Sequence, residues 1–356
     1  VPDNGTVQRD LRIWAFGDAH VGTDLQHGRE SLADAIRHSE EFGWDIAIDA
    51  GDMSGAHHSL PDDAEGSEVR RQLGALNSHR REDIYSVCGN HDRNGLDEPQ
   101  ASWWRKWIDP TGEHTAFSGV DASRRRYPVE GTWERYSFRV GNLLFLMMSD
   151  INEPSQTVGR GTLGGNPGGV VSAETFDWWV DMVERHRDSL IVTVHHYVLK
   201  DTTVASGEWE GVRIDDDGTL HEHYHRPFAQ GTPQGASYLY WVGSKPDCGA
   251  FERYLEDHPG AVALWIGGHT HTHPDDDRGG KTHIEKRYGG TYFMNVASLS
   301  RYHMPITTLP ISRLLTFTPG SSRLRVQCYL HTDQYAPQGW YDTAERTLDL
   351  KAPFVW

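Results

Sequence analysis

Three histidines at alternate positions, His269, His271 and His273, follow an apolar run over 261–266 and the pair Gly267-Gly268. In extended backbone, side chains two residues apart project to the same side about 6.5 Å from each other. Imidazoles so spaced can flank two metal ions sharing one site, because catalytic metal pairs lie roughly 3.5 to 4 Å apart. An isolated H-x-H reads equally well as a solvated turn, so its meaning depends on partners elsewhere. Four stretches supply them: Gly17-Asp18-Ala19-His20, Gly51-Asp52, Gly89-Asn90-His91-Asp92 and His195-His196. Collected, Asp18, His20, Asp52, Asn90, His195 or His196, His269 and His271 offer carboxylate, imidazole and amide oxygen. That mixture suits manganese, iron, cobalt or zinc, whereas a calcium or magnesium site would use oxygen alone. Two aspartates against two divalent ions leave a residual charge of about +2, which favours a phosphate dianion or a phosphodiester transition state.

Each of the five stretches closes a short apolar run, over 11–16, 44–48, 84–88, 190–194 and 261–266, and these runs read as buried strands. Helical spacing is expected over 29–42, 67–78, 172–186, with Ser172 as N-cap, and 247–257. Strand and helix alternate, the pattern of repeated βα units, and polar residues at strand ends are the usual seat of α/β chemistry. A hairpin about Gly141 joins 135–140 to 142–148, and later strands are expected over 291–297, 313–318 and 323–330, with a turn at Pro319-Gly320. The expected organisation is one domain over 1–356, with insertions at about 93–134, 152–169 and 199–246 and a β-rich C-terminal extension at about 300–356. The glycine-rich stretch 152–169 holds no phosphate-loop motif and reads as a surface loop.

Composition narrows the classes. The 34 basic and 51 acidic residues give a formal charge of −17, which repels nucleic acid and anionic membranes at long range. With 37% hydrophobic and 11% aromatic residues the chain is globular, and no apolar run is long enough to span a membrane. It is expected to be soluble, either cytoplasmic or exported after removal of a leader, since it begins at Val1 without one. Cys88, Cys248 and Cys328 form no C-x-x-C pattern and allow at most one disulfide.

The five stretches, in this order and each after an expected strand, resemble the ordered motifs of the calcineurin-like metallophosphoesterases. The resemblance spans residues 17 to 271. It implies a four-layer α/β/β/α sandwich with two mixed β-sheets and a dinuclear metal site at the carboxyl ends of the strands. It also implies roles: Asp18, His20 and His271 hold the first ion, Asp52 bridges, and Asn90, His195 and His269 hold the second. His195 is preferred to His196 by analogy with the family. His91 faces the leaving group as proton donor, with Asp92 as its orienting neighbour. The implied cofactors are two divalent or mixed-valence ions (manganese, iron, zinc or cobalt), and the implied reaction is in-line attack of a metal-bound hydroxide on a phosphate ester. After Asp52 comes Met53-Ser54-Gly55, without the Asp-Arg pair of similar protein Ser/Thr phosphatases. Position 20 is His, which the purple acid phosphatase pattern lacks. The resemblance therefore points to the bacterial type that acts on small phosphodiesters or phosphomonoesters. The alternatives are a metal-binding regulator that has lost turnover and a nuclease of the same superfamily; retention of His91 argues against the first and the charge of −17 against the second. His57, His58, His221, His223 and His225 read as loop residues, and His273 is left over from the ligand set.

Overall fold

The protein is described by a computed structural model covering residues 9–55, 61–93, 101–151, 169–207, 210, 212–214, 220–222, 238–243, 249–301 and 308–356. His57, His58, His223, His225, Cys248 and the loop 152–168 lie outside the described residues, and so does the side chain of His221.

The apolar runs pair into two large mixed sheets. In the first, the strand order is Gly339–Trp340, Arg323–Leu330, Ile311–Phe317, Leu11–Phe16, Ile46–Asp49 and Ile84–Ser86, with Arg346–Asp349 also on Arg323–Leu330. Leu11–Phe16, Ile46–Asp49 and Ile84–Ser86 run parallel, so their carboxyl ends emerge together. The second sheet runs Ile284–Arg287, Thr291–Asn295, Leu264–Gly267, Leu190–Val194, Leu143–Met148, Arg135–Val140 and Glu130–Gly131, and its central four strands are parallel.

Because side chains alternate across a strand, each sheet has two apolar faces. Ile13, Ala15, Ile46, Ile48, Tyr85 and Val87 of the first sheet meet Phe145, Val192, Val194, Leu264, Ile266 and Met294 of the second in one buried core. The outer face of the first sheet, with Trp14 and Phe16, is covered by the helices Ser31–Phe42 and Asp63–Leu73 and by Trp103, Trp104 and Trp107. The outer face of the second, with Ile191 and Trp265, is covered by Ala173–Arg185 and Gly249–Asp257 through Trp179, Val183, Phe251 and Leu255. Four layers result, helix, sheet, sheet, helix. Full burial of each large apolar side chain contributes roughly 1.5–3 kcal/mol, so the strands are held far more firmly than the loops at their ends.

Helix ends follow local chemistry. Ser172 caps as expected, its Oγ accepting the Thr175 N–H at 3.0 Å. The helix expected from residue 67 starts at Asp63 instead, because the Asp62 carboxylate accepts the Glu65 N–H at 2.9 Å. A short helix, Val21–His27, precedes Ser31–Phe42; it shows little apolar periodicity and is closed by Gly28 at φ 60° and by Asp24, which accepts the Ser31 N–H at 2.6 Å. The C-terminal segment is woven into the first sheet: residues 313–317 pair antiparallel with residues 11–15, and Phe354 is buried between the sheets. Cys88 and Cys328 are buried free thiols. Among the described residues, no helix is long and apolar enough to cross a membrane.

Away from the strand ends, His283 is 3% exposed, its Nε2 2.7 Å from the His273 carbonyl oxygen. Burial, reinforced by the Arg313 charge, pushes its imidazole down to about 3 from 6.5. The unfolded chain therefore takes up a proton below pH 6.5 that the folded protein refuses, and this contribution to stability is lost as the pH falls from 6.5 toward 3. His283→Gln removes that proton uptake. Measured by urea unfolding of metal-free protein, the variant should gain about 2 kcal/mol relative to wild type between pH 7 and pH 5. An unchanged difference between the two proteins over that range would contradict the assignment.

Candidate metal centre

Asp18, His20, Asp52 and His269 all adopt left-handed backbone, with φ of 53°, 45°, 60° and 70°. Such conformations cost non-glycine residues of order 1–3 kcal/mol each and persist only where the surroundings over-determine them. Here the loops are laced together: the Asp18 N–H donates to the Gly51 carbonyl at 2.7 Å, His20 to Asp52 at 3.0 Å and Val21 to Met53 at 2.8 Å. Asp92, expected beside His91, is fully buried and accepts three backbone N–H groups, from Asp52 (2.9 Å), Ser54 (2.9 Å) and Gly89 (2.8 Å). It therefore fixes the turn that carries Asp52. Burial, then the neighbouring Asp52 charge, pushes the Asp92 carboxyl up to about 7. Two glycines are required by close approach: a Cβ on Gly89 would overlap the Asp52 carboxylate, and one on Gly268 that of Asp18.

These constraints bring the strand-end side chains together. His271 Nε2 lies 2.9 Å from Asp18 Oδ1 and 3.1 Å from His20 Nε2. His196 Nε2 lies 3.2 Å from Asp52 Oδ2 and 3.1 Å from Asn90 Oδ1, and its ring is 5.2 Å from that of His269. Three overlapping groups have ligand atoms within 4.8 Å of one another: Asp18, His20 and His271; Asp52, His196 and His269; and His20, Asp52 and His91. Two imidazoles are oriented from behind. His20 Nδ1 is 2.8 Å from the Ser54 carbonyl oxygen and His196 Nδ1 is 2.8 Å from that of Ala50. Each Nδ1 must donate there, which turns Nε2 into the cluster, where it can serve as a ligand once its own proton is displaced, the usual support of a metal-binding histidine. A second shared feature is charge. Burial opposes ionisation of Asp18 and Asp52, yet nearby imidazoles outweigh it and hold both carboxyls well below the usual range. Burial likewise opposes charge on His196, but the Asp52 and Asp18 carboxylates push it up to about 10. The two buried carboxylates thus favour positive charge between them, and the carboxylate, imidazole and amide donors fit divalent transition ions.

His195 departs from expectation. Strand alternation sends Val192 and Val194 into the inter-sheet core, so His196 shares their side, while His195 shares the outer side with Ile191 and Thr193. Its Nδ1 accepts the Tyr197 N–H at 3.0 Å, and its Nε2 is 3.9 Å from Asp150, itself paired with buried Arg93 at 3.1 Å. Burial pushes its imidazole down to about 3. Thr193, the one polar residue in Leu190–Val194, marks the outer side and with it the parity that selects His196.

Tyr197 also belongs to the cluster, although no motif in the sequence marks it. Its hydroxyl donates to Asn90 Oδ1 at 3.0 Å and its ring lies 4.1 Å from that of His269, so it steadies a residue on each side of the second group. His91 is held by its own N–H, which donates to Asp52 Oδ1 at 2.8 Å; its Nε2 is 4.0 Å from Asp52 Oδ2 and its side chain is 16% exposed, against 1% for Asp52. Along 269–273 the histidines are half-buried and Thr270 and Thr272 buried.

No family model matches the sequence, and no curated protein matches it. Solved structures do. A purple acid phosphatase from seeds of yellow lupin (Lupinus luteus) is similar with a TM-score of 0.50 and 15% identity, over 96% of this chain and 54% of that one. The chain thus spans about half the length of that phosphatase. The sulfate thiohydrolase SoxB of Thermus thermophilus is similar at 0.41 and 12%, over 93% of this chain and 58% of that one. A single mutant of Vps29 from Entamoeba histolytica is similar at 0.35 and 14%, over 96% of this chain and 100% of that one. Two mixed sheets packed face to face, with this likeness to the phosphatase, define the calcineurin-like metallophosphoesterase fold.

Proposed function

We propose that the protein is a dinuclear metal-dependent phosphoester hydrolase acting on small phosphodiesters or phosphomonoesters, as the bacterial members of this fold type do. The observation that carries this is the pair His20 and His196, each with Nδ1 committed to a backbone carbonyl and Nε2 turned toward a buried carboxylate that is held ionised. In this reading Asp18, His20 and His271 hold one ion, Asn90, His196 and His269 hold the other, and Asp52 is shared. The ions are drawn from manganese, iron, zinc and cobalt. When bound, two such ions would polarise phosphoryl oxygens and lower the pKa of water. The chain's own residues do the rest. Asp92 and Gly89 fix Asp52, Tyr197 fixes Asn90, and buried Asp18 and Asp52 keep the floor of the site free of bulk water.

His91 is the proton donor to the leaving oxygen. It is more open than the buried ligands, and its backbone bond to Asp52 sets its distance from the centre. The test is to strip the protein of metal, restore manganese, and compare wild type with His91→Gln on nitrophenyl phosphate mono- and diesters. The wild type should hydrolyse at least one class, and the variant should keep its metal while losing about 10²- to 10⁴-fold in rate. Metal bound without turnover in the wild type would leave a binding protein on the same fold. Loss of metal in His91→Gln would make His91 a ligand.

A further inference from the structure

We propose that His273 and Tyr335 form a subsite that stacks the planar aromatic group of the phosphate ester, so that the substrate is an aryl or nucleoside ester rather than an alkyl one. The inference rests on the metal centre proposed above and names what lies beside it.

His273 follows His271 by two residues, so the chain itself keeps their Cα atoms within about 7 Å of each other. Its ring meets the ring of Tyr335 edge-on at 5.3 Å, with an interplanar angle of 77°. Tyr335 comes from the chain after the last long strand and is 40% exposed, one of few large aromatic side chains so open among the described residues. It is nevertheless fixed. Its hydroxyl donates to Asp275 Oδ2 at 2.7 Å, and Tyr341 donates to the same oxygen. The rings of Tyr335 and Tyr341 are 6.0 Å apart. Asp275 is thereby engaged by two phenols, and His273 is anchored by its own N–H, which donates to Asp276 Oδ2 at 2.8 Å.

An exposed aromatic ring held by a shared hydrogen bond gives contact area at little entropic cost, which is what a preorganised stacking surface needs. The lining also excludes. Asp275, Asp276 and Asp277 lie in succession at this rim, so a substrate carrying a second phosphate or a polyanionic tail in this direction would be repelled. A flat, uncharged group one ester bond from phosphorus is what fits.

The experiment uses phosphonates, which bind without being cleaved. Titrate the manganese-loaded protein calorimetrically with methylphosphonate, phenylphosphonate and a nucleoside phosphonate. At least one aromatic ligand should bind roughly tenfold more tightly than methylphosphonate, the value of one good aromatic contact. Preference for the phenyl compound assigns an aryl ester, and preference for the nucleoside compound a nucleotide. Tyr335→Ala should erase the preference while leaving methylphosphonate affinity unchanged, and Tyr335→Phe, which keeps the ring, should retain most of it. Equal affinity for all three in the wild type, or equal weakening of all three in Tyr335→Ala, would overturn the subsite. Failure of methylphosphonate to prefer loaded over metal-free protein would instead count against the metal centre.

Discussion

Replacing Asp52 by asparagine should leave a folded protein that no longer retains its two metal ions and hydrolyses phosphate esters roughly 10³-fold more slowly, or worse. Asparagine is the informative replacement because position 52 sits at φ 60°, a conformation that asparagine tolerates better than most residues. The amide oxygen can still accept the His91 N–H, and the backbone bonds of residue 52 to His20 and Asp92 do not involve the side chain. What disappears is the negative charge shared by the neighbouring His196, His91 and His20. If Asp52 is the bridging ligand, both ions lose a donor at once, and the several kcal/mol of transition-state stabilisation that a metal supplies is lost with them. Metal content after dialysis and the shift in melting temperature on adding manganese check this. Wild type should be stabilised by the ion and the variant not, since only binding to the folded state raises stability. A variant that keeps two ions would show that Asp52 does not bridge.

The second large effect separates two adjacent histidines. His196→Ala should reduce metal content from two ions per chain to one and abolish most turnover, because His196 alone of the pair points an Nε2 at Asp52 and Asn90. His195→Ala should keep both ions and most of the rate. Its cost should appear as stability, about 1–3 kcal/mol, since the Tyr197 N–H loses its buried acceptor. Quantifying metal and unfolding free energy for both variants decides; the reverse pattern would restore the family-based choice of His195.

That pair also shows what was legible in the sequence. The strands and the polar residues ending them follow from short apolar runs closed by Asp, Asn or His, and they hold because both faces of each sheet are buried. Which of His195 and His196 faces inward is a matter of parity, and within Leu190–Val194 only Thr193 reveals it. Parity fails at Asp18, His20 and His269, where left-handed backbone resets the direction of the side chain. No periodicity encodes that; the glycines before Asp18 and His269 are its only trace, and His20 has none. Tyr197 could not be found because a tyrosine three residues past a strand is usually packing, and its role depends on Asn90, 107 positions away. The rim is equally hidden. Asp275 meets Tyr335 across 60 residues and Tyr341 across 66, and neither tyrosine stands in a motif.

The most direct measurement is anomalous diffraction from crystals of the manganese-loaded protein. The proposed dinuclear arrangement predicts two peaks about 3.5 to 4 Å apart, one bounded by Asp18, His20 and His271, the other by Asn90, His196 and His269, with Asp52 between them. A single peak, or a peak held by His195, would contradict it.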